Sequence, residues 1–286
     1  MKLIAIDMDG TLFNSEHKIP DANLQAIKDA QEAGHIVMLC SGRPHDSLIK
    51  FMDSEYGLVL PVAGSNGAVT YTEGQTLHTA PLAKDLAAEL FEFLDQGEHP
   101  FKIYTNQGVF TIESFMERAQ KHYDQMSSDK PSAAYAALYG EYLKSIDSQD
   151  IQTFNDIAYK EDLEIFKFFV STMIPAKKSE IEARLRTFEG PLGFTSSAVQ
   201  NVEIMSDLGH KGTGLSQMAK HYGIPMERTV AIGDNFNDVP MMEAAGLSIA
   251  MGNAEPDVKA LCDVVTKTND EHGVAYAIHN YVLNEK

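Results

Sequence analysis

Residues 3–12, which read LIAIDMDGTL, carry the clearest indication of the fold. Its first four residues, Leu3–Ile6, are apolar without alternation, a pattern typical of a strand that is covered on both faces, as in a parallel sheet. Two carboxylates, Asp7 and Asp9, follow directly where this strand ends. In an open α/β sheet, chemistry takes place beyond the carboxyl ends of the strands. Because two like charges this close repel each other and resist burial, the turn predicts a site that holds a cation or a shared proton.

The segments that follow this stretch repeat a pattern of a strand and then a helix. A helical pattern begins at Asp21, which we predict to be its N-cap, and leads into a second apolar run, His35–Cys40. A third predicted strand is Leu58–Val62, and the pattern returns late in the chain with a strand at Thr229–Ile232. This alternation predicts an α/β fold with a doubly wound parallel sheet and right-handed crossovers.

The pattern of predicted strands, helices and turns changes in the middle of the chain. A hairpin is predicted around Asn106-Gln107-Gly108, and the polar segment 115–157 favours helix. No acidic or glycine-rich turn follows the strands of this region. We therefore predict a separately folded α+β insert at 83–206 and an α/β core formed by 1–82 and 207–286.

Composition narrows the class of partner. The 286 residues carry a formal net charge of −18, which disfavours nucleic acid and anionic membranes because no basic field attracts them. No apolar run approaches the roughly 18 residues of a membrane span, and no leader precedes Leu3, so we expect a cytoplasmic protein. Cys40 and Cys262 are too few for a disulfide framework and are expected to be reduced. The sequence leaves open whether the protein is a monomer or a small homo-oligomer.

A second pair of carboxylates, Asp234 and Asp238, follows the predicted strand Thr229–Ile232. If the ends of this strand and of the first strand meet, these groups join Asp7 and Asp9. Clusters of oxygen ligands suit Mg²⁺, which takes one or two carboxylates together with water and substrate phosphate. We therefore expect a magnesium site where these two strands end.

Two further turns offer groups that bind phosphate. Ser41 and Gly42 follow the second strand and present a hydroxyl and unobstructed backbone N–H groups ahead of a helix. Lys211 adds a positive charge at another predicted helix start. Carboxylates, a metal, a hydroxyl, amides and an ammonium together match phosphoryl transfer, in which positioning and charge neutralisation dominate.

These four turns resemble, in order, the four motifs of the haloacid dehalogenase superfamily. The matching stretches are Asp7–Leu12, Ser41–Arg43, Lys211-Gly212 and Gly233–Asp238. The resemblance is closest to the Cof-type phosphatases, which carry a large α/β cap between the second and third motifs, where the predicted insert lies. One departure is Ser41, which stands where threonine is commonest and keeps the hydroxyl.

The resemblance implies a role for each matching residue. Asp7 would attack phosphorus and form an aspartyl-phosphate, and Asp9 would protonate the leaving oxygen and later activate water. Mg²⁺ would be held by the Asp7 side chain, the Asp9 backbone carbonyl and Asp234, with Asp238 in support. Phosphate would contact the Met8 backbone, Ser41, Gly42, Lys211 and the Asn237 amide. The expected substrate is a small phosphorylated metabolite, such as a sugar phosphate or a nucleotide or flavin monophosphate.

Other interpretations of the same residues stay open. Asp9, Ser41 and Asn237 with Asp238 could be helix caps, and Lys211 could be a solvated surface residue. At the level of function, the alternatives are a phosphotransferase of the mutase type and a non-enzymatic phospho-acceptor switch.

Overall fold

A computed structural model of the chain describes residues 1–127, 148–172, 174–198 and 200–284. The chain divides into two compact units. We call Met1–Ala80 with Gly209–Lys286 the core unit and Pro81–Leu208 the inserted unit. The sequence placed the two divisions at 82/83 and 206/207, and the structure has them at 80/81 and 208/209.

The described residues form the following elements. The strands are β1 (Leu3–Ile6), β2 (Ile36–Cys40), β3 (Val62–Gly64), β4 (Val69–Thr72), β5 (Gln75–Thr79), β6 (Phe101–Thr105), β7 (Gly108–Ile112), β8 (Ser148–Ile151), β9 (Ile165–Ser171), β10 (Leu192–Thr195), β11 (Asn201–Ser206), β12 (Thr229–Gly233), β13 (Leu247–Ala250) and β14 (Val264–Val265). The helices are α1 (Asp21–Glu32), α2 (His45–Tyr56), α3 (Lys84–Gln96), α4 (Phe115–Ser127), α5 (Asn155–Ala158), α6 (Pro175–Leu185), α7 (Lys211–His221), α8 (Val239–Ala244), α9 (Pro256–Leu261) and α10 (Gly273–Ala277), the last of which continues as a wider helical turn over Ile278–Leu283.

The core unit is built on an eight-stranded sheet in the order β14-β13-β12-β1-β2-β3-β4-β5. The first six strands are parallel, and β4 and β5 add an antiparallel edge. All four residues of β1 are fully buried, as expected for a strand covered on both faces. The predicted α/β class with a doubly wound sheet is confirmed.

The order of the strands reverses between β1 and β12. From β1 the chain proceeds outward to β2 on one side, and it returns at β12 on the other side. The two strands are in parallel register, with Ile6 beside Ile232, and the Asp7 N–H donates to the Ile232 carbonyl at 3.0 Å. Ligands of open α/β sheets bind at such a reversal, outside the carboxyl ends of the strands. The turns that follow β1 and β12 therefore meet at the position where a binding site is expected.

Two local predictions in the core unit are wrong. Asp21 is the first residue of α1 rather than its N-cap; the N-cap is Pro20, whose extended backbone directs the chain into the helix. The third strand begins at Val62 rather than at Leu58. Pro61 has no N–H to give to a sheet ladder, so regular pairing starts only after it.

The inserted unit has its own six-stranded sheet in the order β10-β11-β9-β6-β7-β8. The predicted hairpin is confirmed as the antiparallel pair β6–β7. Helices α3 and α6 pack on one face of this sheet around a separate apolar cluster, in which the rings of Phe91 and Phe101 lie 5.2 Å apart. Each large apolar side chain buried in such a cluster contributes about 1.5–3 kcal/mol to the stability of the unit.

The helical prediction over 115–157 is correct at both ends of the segment and wrong at one place between them. Helix α4 covers Phe115–Ser127 and α5 covers Asn155–Ala158, but Ser148–Ile151 forms an edge strand, β8, paired in parallel with β7. The polar sequence of β8 has little strand propensity, and its neighbour in the sheet decides its conformation. The part of this prediction at 128–147 lies outside the described residues.

Two further sequence expectations can be compared with the structure. Cys40 and Cys262 are both free thiols. Among the helices of the described residues, none has both the length and the apolar character needed to cross a bilayer.

Candidate active site

Three carboxylates converge where β1 and β12 end. Asp7 follows β1, and Asp234 and Asp238 lie in the turn after β12. One oxygen from each of the three lies within 4.8 Å of the others. Asp7 is 6% exposed and Asp238 is fully buried. The structure therefore brings together, away from water, acidic groups that are separated by more than 200 positions in the sequence.

A buried lysine lies among these carboxylates. Lys211 is the first residue of α7, has no exposed surface, and donates from Nζ both to Asp7 Oδ1 and to Asp238 Oδ1, the latter at 2.6 Å. The helix start that carries it is capped by His210, whose Nδ1 accepts the Thr213 N–H at 3.2 Å. Lys211 is thus a fixed charge inside the cluster, and the surface interpretation of this lysine is wrong.

Asp238 uses both of its oxygens inside the protein. While Oδ1 accepts from Lys211, Oδ2 accepts the backbone N–H groups of Asp234 and Asn235, at 2.9 and 3.0 Å. Asp238 therefore closes the turn after β12 and anchors Lys211. It occupies the N-cap position of α8, but its side chain accepts no capping hydrogen bond there.

Asp234 is held from the opposite turn. The buried hydroxyl of Thr11 donates to Asp234 Oδ1 at 2.7 Å. Gly10, with φ of 85°, passes so close to Asp234 that a Cβ at this position would collide with the carboxylate. Thr11 belongs to the first motif, but the sequence analysis assigns it no role. Its position two residues after the acidic pair is the local signal that could have indicated a role for its hydroxyl in the site.

The cluster carries more negative than positive charge. Three carboxylates face one ammonium, which leaves two negative charges uncompensated if all groups are ionised. Burial and the charge of Asp238 raise the pKa of Asp7 well above its usual value, against the opposing effect of Lys211. Burial and Asp238 also raise the pKa of Asp234 to about 7. The donor set of hard oxygen atoms and this charge surplus both fit a divalent cation such as Mg²⁺.

Lys211 stays protonated in this environment. Burial alone would lower the pKa of its ammonium, but the neighbouring carboxylates of Asp238 and Asp7 outweigh burial and raise it. The same neighbourhood reaches Cys40 at the end of β2, where burial raises the pKa of the thiol to about 12. Cys40 is therefore a neutral core residue rather than a nucleophile.

A hydrogen-bonded chain links two of the predicted phosphate-binding residues. The buried Ser41 follows β2, and its carbonyl accepts the Asn66 N–H at 2.9 Å. Asn66 Oδ1 in turn accepts from the Asn237 side chain at 3.4 Å. Asn66 has a left-handed backbone, with φ of 60°, between Ser65 (φ 50°) and Gly67 (φ 92°). Glycine adopts a positive φ at little cost, but for Ser65 and Asn66 this conformation is strained, and such strain is concentrated at functional sites.

The remaining predicted residues lie in the two turns after β1 and β2. Met8 is fully buried, and Gly42 follows Ser41 with partial exposure. Asp9 is not one of the three clustered carboxylates, and both of its oxygens accept from the Arg43 guanidinium, at 2.6 and 3.0 Å. The sequence left Arg43 and Asn66 without a role, since neither contact can be derived from local spacing.

The matching family model covers residues 4–278 and is described as haloacid dehalogenase-like hydrolase. The chain belongs to this family. Phosphatase YwpJ of Bacillus subtilis is 35% identical over 96% of this chain and 98% of its own length. The 5-amino-6-(5-phospho-D-ribitylamino)uracil phosphatase YwtE of the same organism is 31% identical, with 97% of each chain covered.

Solved structures agree with this assignment. A haloacid dehalogenase-like hydrolase from B. subtilis superposes with a TM-score of 0.86 at 33% identity, covering 99% of this chain and all of the other. The full-length match to named phosphatases identifies the chain as a Cof-type phosphatase of the haloacid dehalogenase-like family.

Proposed function

We propose that the protein is a Mg²⁺-dependent phosphatase that hydrolyses a small phosphorylated metabolite through an aspartyl-phosphate on Asp7. The observation that carries the proposal is the buried cluster of Asp7, Asp234 and Asp238 around Lys211, in which negative charge is in excess. Phosphoryl transfer needs a nucleophile, neutralisation of phosphate charge and exact in-line positioning, and the described residues can supply all three.

Asp7 is the proposed nucleophile. Its carboxylate is reactive only when ionised, and Lys211 favours the ionised form while burial and the neighbouring acids oppose it. Mg²⁺, held by the Asp7 side chain, the Asp9 carbonyl and Asp234, would supply the further positive charge that keeps Asp7 ionised and neutralises the phosphate. Asp238 contributes indirectly, by holding Lys211 and the backbone of the turn after β12.

Asp9 is the proposed general acid and base. In the first step an Asp7 oxygen bonds to phosphorus, the ester bond breaks, and the leaving oxygen takes a proton from Asp9. In the second step water attacks phosphorus and gives its proton to Asp9, which releases inorganic phosphate and regenerates the Asp7 carboxylate. Ser41, the Met8 and Gly42 amides, Lys211 and Asn237 would hold the phosphate oxygens during both steps.

The proposed substrates are phosphate monoesters of small metabolites. The relative YwtE is named as a phosphatase of a phosphorylated ribitylamino compound. We extend this chemical class, sugar phosphates and nucleotide or flavin monophosphates, to the present chain. The inserted unit is the proposed location of the residues that select among them, since the motifs of the core unit address the phosphate rather than the leaving group.

A phosphate-release screen over a panel of such metabolites tests the proposal. We expect the wild type to release phosphate with Mg²⁺ and to stop when the metal is chelated. Asp7→Asn should lower kcat by at least about 10³-fold with an unchanged circular dichroism spectrum. Asp257→Asn, on the exposed surface of α9, is the matched control and should keep full activity. Equal turnover in wild type and Asp7→Asn, or in Mg²⁺ and chelator, would refute the proposal.

A further inference from the structure

The contact between Asp9 and Arg43 has a specific geometry. Arg43 Nε donates to Asp9 Oδ2 at 3.0 Å, and Arg43 Nη2 donates to Asp9 Oδ1 at 2.6 Å. The guanidinium therefore engages the carboxylate as a two-pronged fork, which fixes its orientation as well as its charge. The two residues come from the turns after β1 and β2 and are 34 positions apart.

Arg43 is itself anchored by its backbone and by a ring. Its carbonyl accepts the Ser65 N–H at 2.8 Å, and its N–H donates to Ser41 Oγ at 3.3 Å. Its guanidinium lies 5.4 Å from the centre of the Phe13 ring. The base of the side chain is thus tied to the same turn as Ser41, and the charged end has a defined resting place between Phe13 and Asp9.

The pair contributes little to the stability of the fold. The side chains of Arg43 and Asp9 are 43% and 49% exposed, and exposed ion pairs typically contribute about 0–1 kcal/mol. A pair that is this weak can open at little cost. The pair can still affect catalysis through the orientation of Asp9, because a general acid must lie within hydrogen-bond distance of the atom that it protonates.

We propose that Arg43 is a positioning residue that holds the Asp9 carboxylate in the orientation from which it transfers protons; this inference rests on the proposed function. Each Asp9 oxygen accepts one hydrogen bond from the Arg43 fork. A carboxylate oxygen has two lone pairs, so the closed fork leaves one on each oxygen, which can carry the proton given to the leaving oxygen and accept the proton of the attacking water.

The leaving group of the substrate distinguishes this role from a plain surface ion pair. An alkyl phosphate needs its leaving oxygen protonated, whereas p-nitrophenyl phosphate releases a stable phenolate that does not. If Arg43 acts through Asp9, Arg43→Ala should lower kcat for the alkyl ester about 10-fold or more and for the aryl ester less than about 3-fold. KM should change little for either, because the guanidinium is assigned to Asp9 and not to the substrate.

A double-mutant cycle provides the decisive measurement. In an Asp9→Asn background, Arg43→Ala should have almost no further effect on the alkyl ester, because the residue it positions is no longer an acid or a base. Arg43→Lys should fall between wild type and Arg43→Ala, since lysine keeps the charge without the fork. Arg228→Ala, at an exposed arginine of the core unit, is the matched control and should behave as wild type.

Three results would overturn the inference. They are an equal loss on both esters, a full additional loss in the Asp9→Asn background, and a change confined to KM; the last two would assign Arg43 to the substrate. Failure of the proposed function itself would be seen in other variants. It would appear as retained activity in Asp7→Asn, or as an equal loss of activity on the alkyl and the aryl ester in Asp9→Asn. Thermal melts of each variant establish folding, and Arg43→Lys keeps the test available should Arg43→Ala be unstable.

Discussion

Among the residues that the structure describes, two lysines are almost completely buried, and their surroundings differ in one respect. In the inserted unit, Lys167 Nζ lies 2.6 Å from Glu203 and 4.6 Å from the centre of the Tyr104 ring, and Ser197 donates to the same glutamate. In the core unit, Lys211 faces two carboxylates directly, with Asp234 beside them. One cluster is balanced in charge and the other is not.

The difference separates a structural from a functional use of the same residue types. A buried pair in which each charge has its partner needs nothing further to be stable. Repelling carboxylates held together by a single ammonium leave a site that a divalent cation and a phosphate can complete. Charge balance therefore distinguishes these two clusters better than burial or distance does, since both lysines are buried and both make short ion pairs.

The largest effect is expected from breaking the balanced cluster. Glu203→Gln would remove the charge of the carboxylate that lies 2.6 Å from the buried Lys167 ammonium, and we expect the free energy of unfolding to fall by about 3–5 kcal/mol. Urea denaturation followed by circular dichroism measures this change. The double variant Lys167→Met with Glu203→Leu should recover most of the loss, because it removes both charges together. A cost below about 1 kcal/mol for Glu203→Gln would contradict the structural role of the pair.

A smaller effect is expected from adding a cation to the unbalanced cluster. A ligand that binds only the folded state stabilises it by about 2.7 kcal/mol at 100 times its Kd. Mg²⁺ should therefore raise the Tm of the wild type, and Asp234→Asn should lose most of this shift. The control Asp257→Asn should show the full shift. If Asp234→Asn gains as much from Mg²⁺ as the wild type, the cluster is not the binding site.

The smallest effect concerns two buried imidazoles of the inserted unit, His99 and His122. Nδ1 of His99 and both ring nitrogens of His122 lack a hydrogen-bond partner among the described residues. Burial and the charge of Lys177, with Arg118 as a further cause for His99, lower both pKa values to about 4. The unfolded chain binds protons at about pH 6.5, so the stability contributed by the neutral rings is complete above that pH.

Acidification should therefore weaken the folded state. As the pH falls to about 6, we expect a loss of about 1–2 kcal/mol from His99 and His122 together, with a further loss towards pH 4. The measurement is the free energy of unfolding against pH, compared with a His99→Phe and His122→Leu double variant that should lack this slope. Protonation of Asp234, whose pKa is raised, acts in the opposite direction and is common to both proteins. Parallel curves for the two proteins would show that the histidines do not titrate in this way.

Much of the core unit could be predicted because its signals are local. The apolar run Leu3–Ile6 and the acidic pair after it mark a buried strand and a reactive turn within a few residues. The edge strand β8 was not predictable from local sequence, because its pairing with β7 decides its conformation. The start of β3 was mispredicted, because Pro61 lacks the N–H that regular pairing needs. Propensity fails where a neighbouring strand sets the conformation.

The same division applies to the site. Asp7, Asp234, Asp238 and Lys211 could be chosen from residue type and order along the chain. Which oxygen meets which donor could not, because these contacts join residues up to 223 positions apart. Asp238 has both oxygens engaged within the protein, and Asn66 connects Ser41 with Asn237; neither fact has a local signature.

The sequence by itself determined the sheet, the strand ends that carry reactive groups and the superfamily that the chain resembles, since hydrophobic patterning and short motifs act over a few residues. The tertiary structure alone decided that Lys211 is locked between Asp7 and Asp238, that Thr11 holds Asp234, and that Arg43 holds Asp9. The physical reason is that a charge in a folded protein responds to whatever the fold brings within a few ångströms, and separation along the chain does not encode that distance.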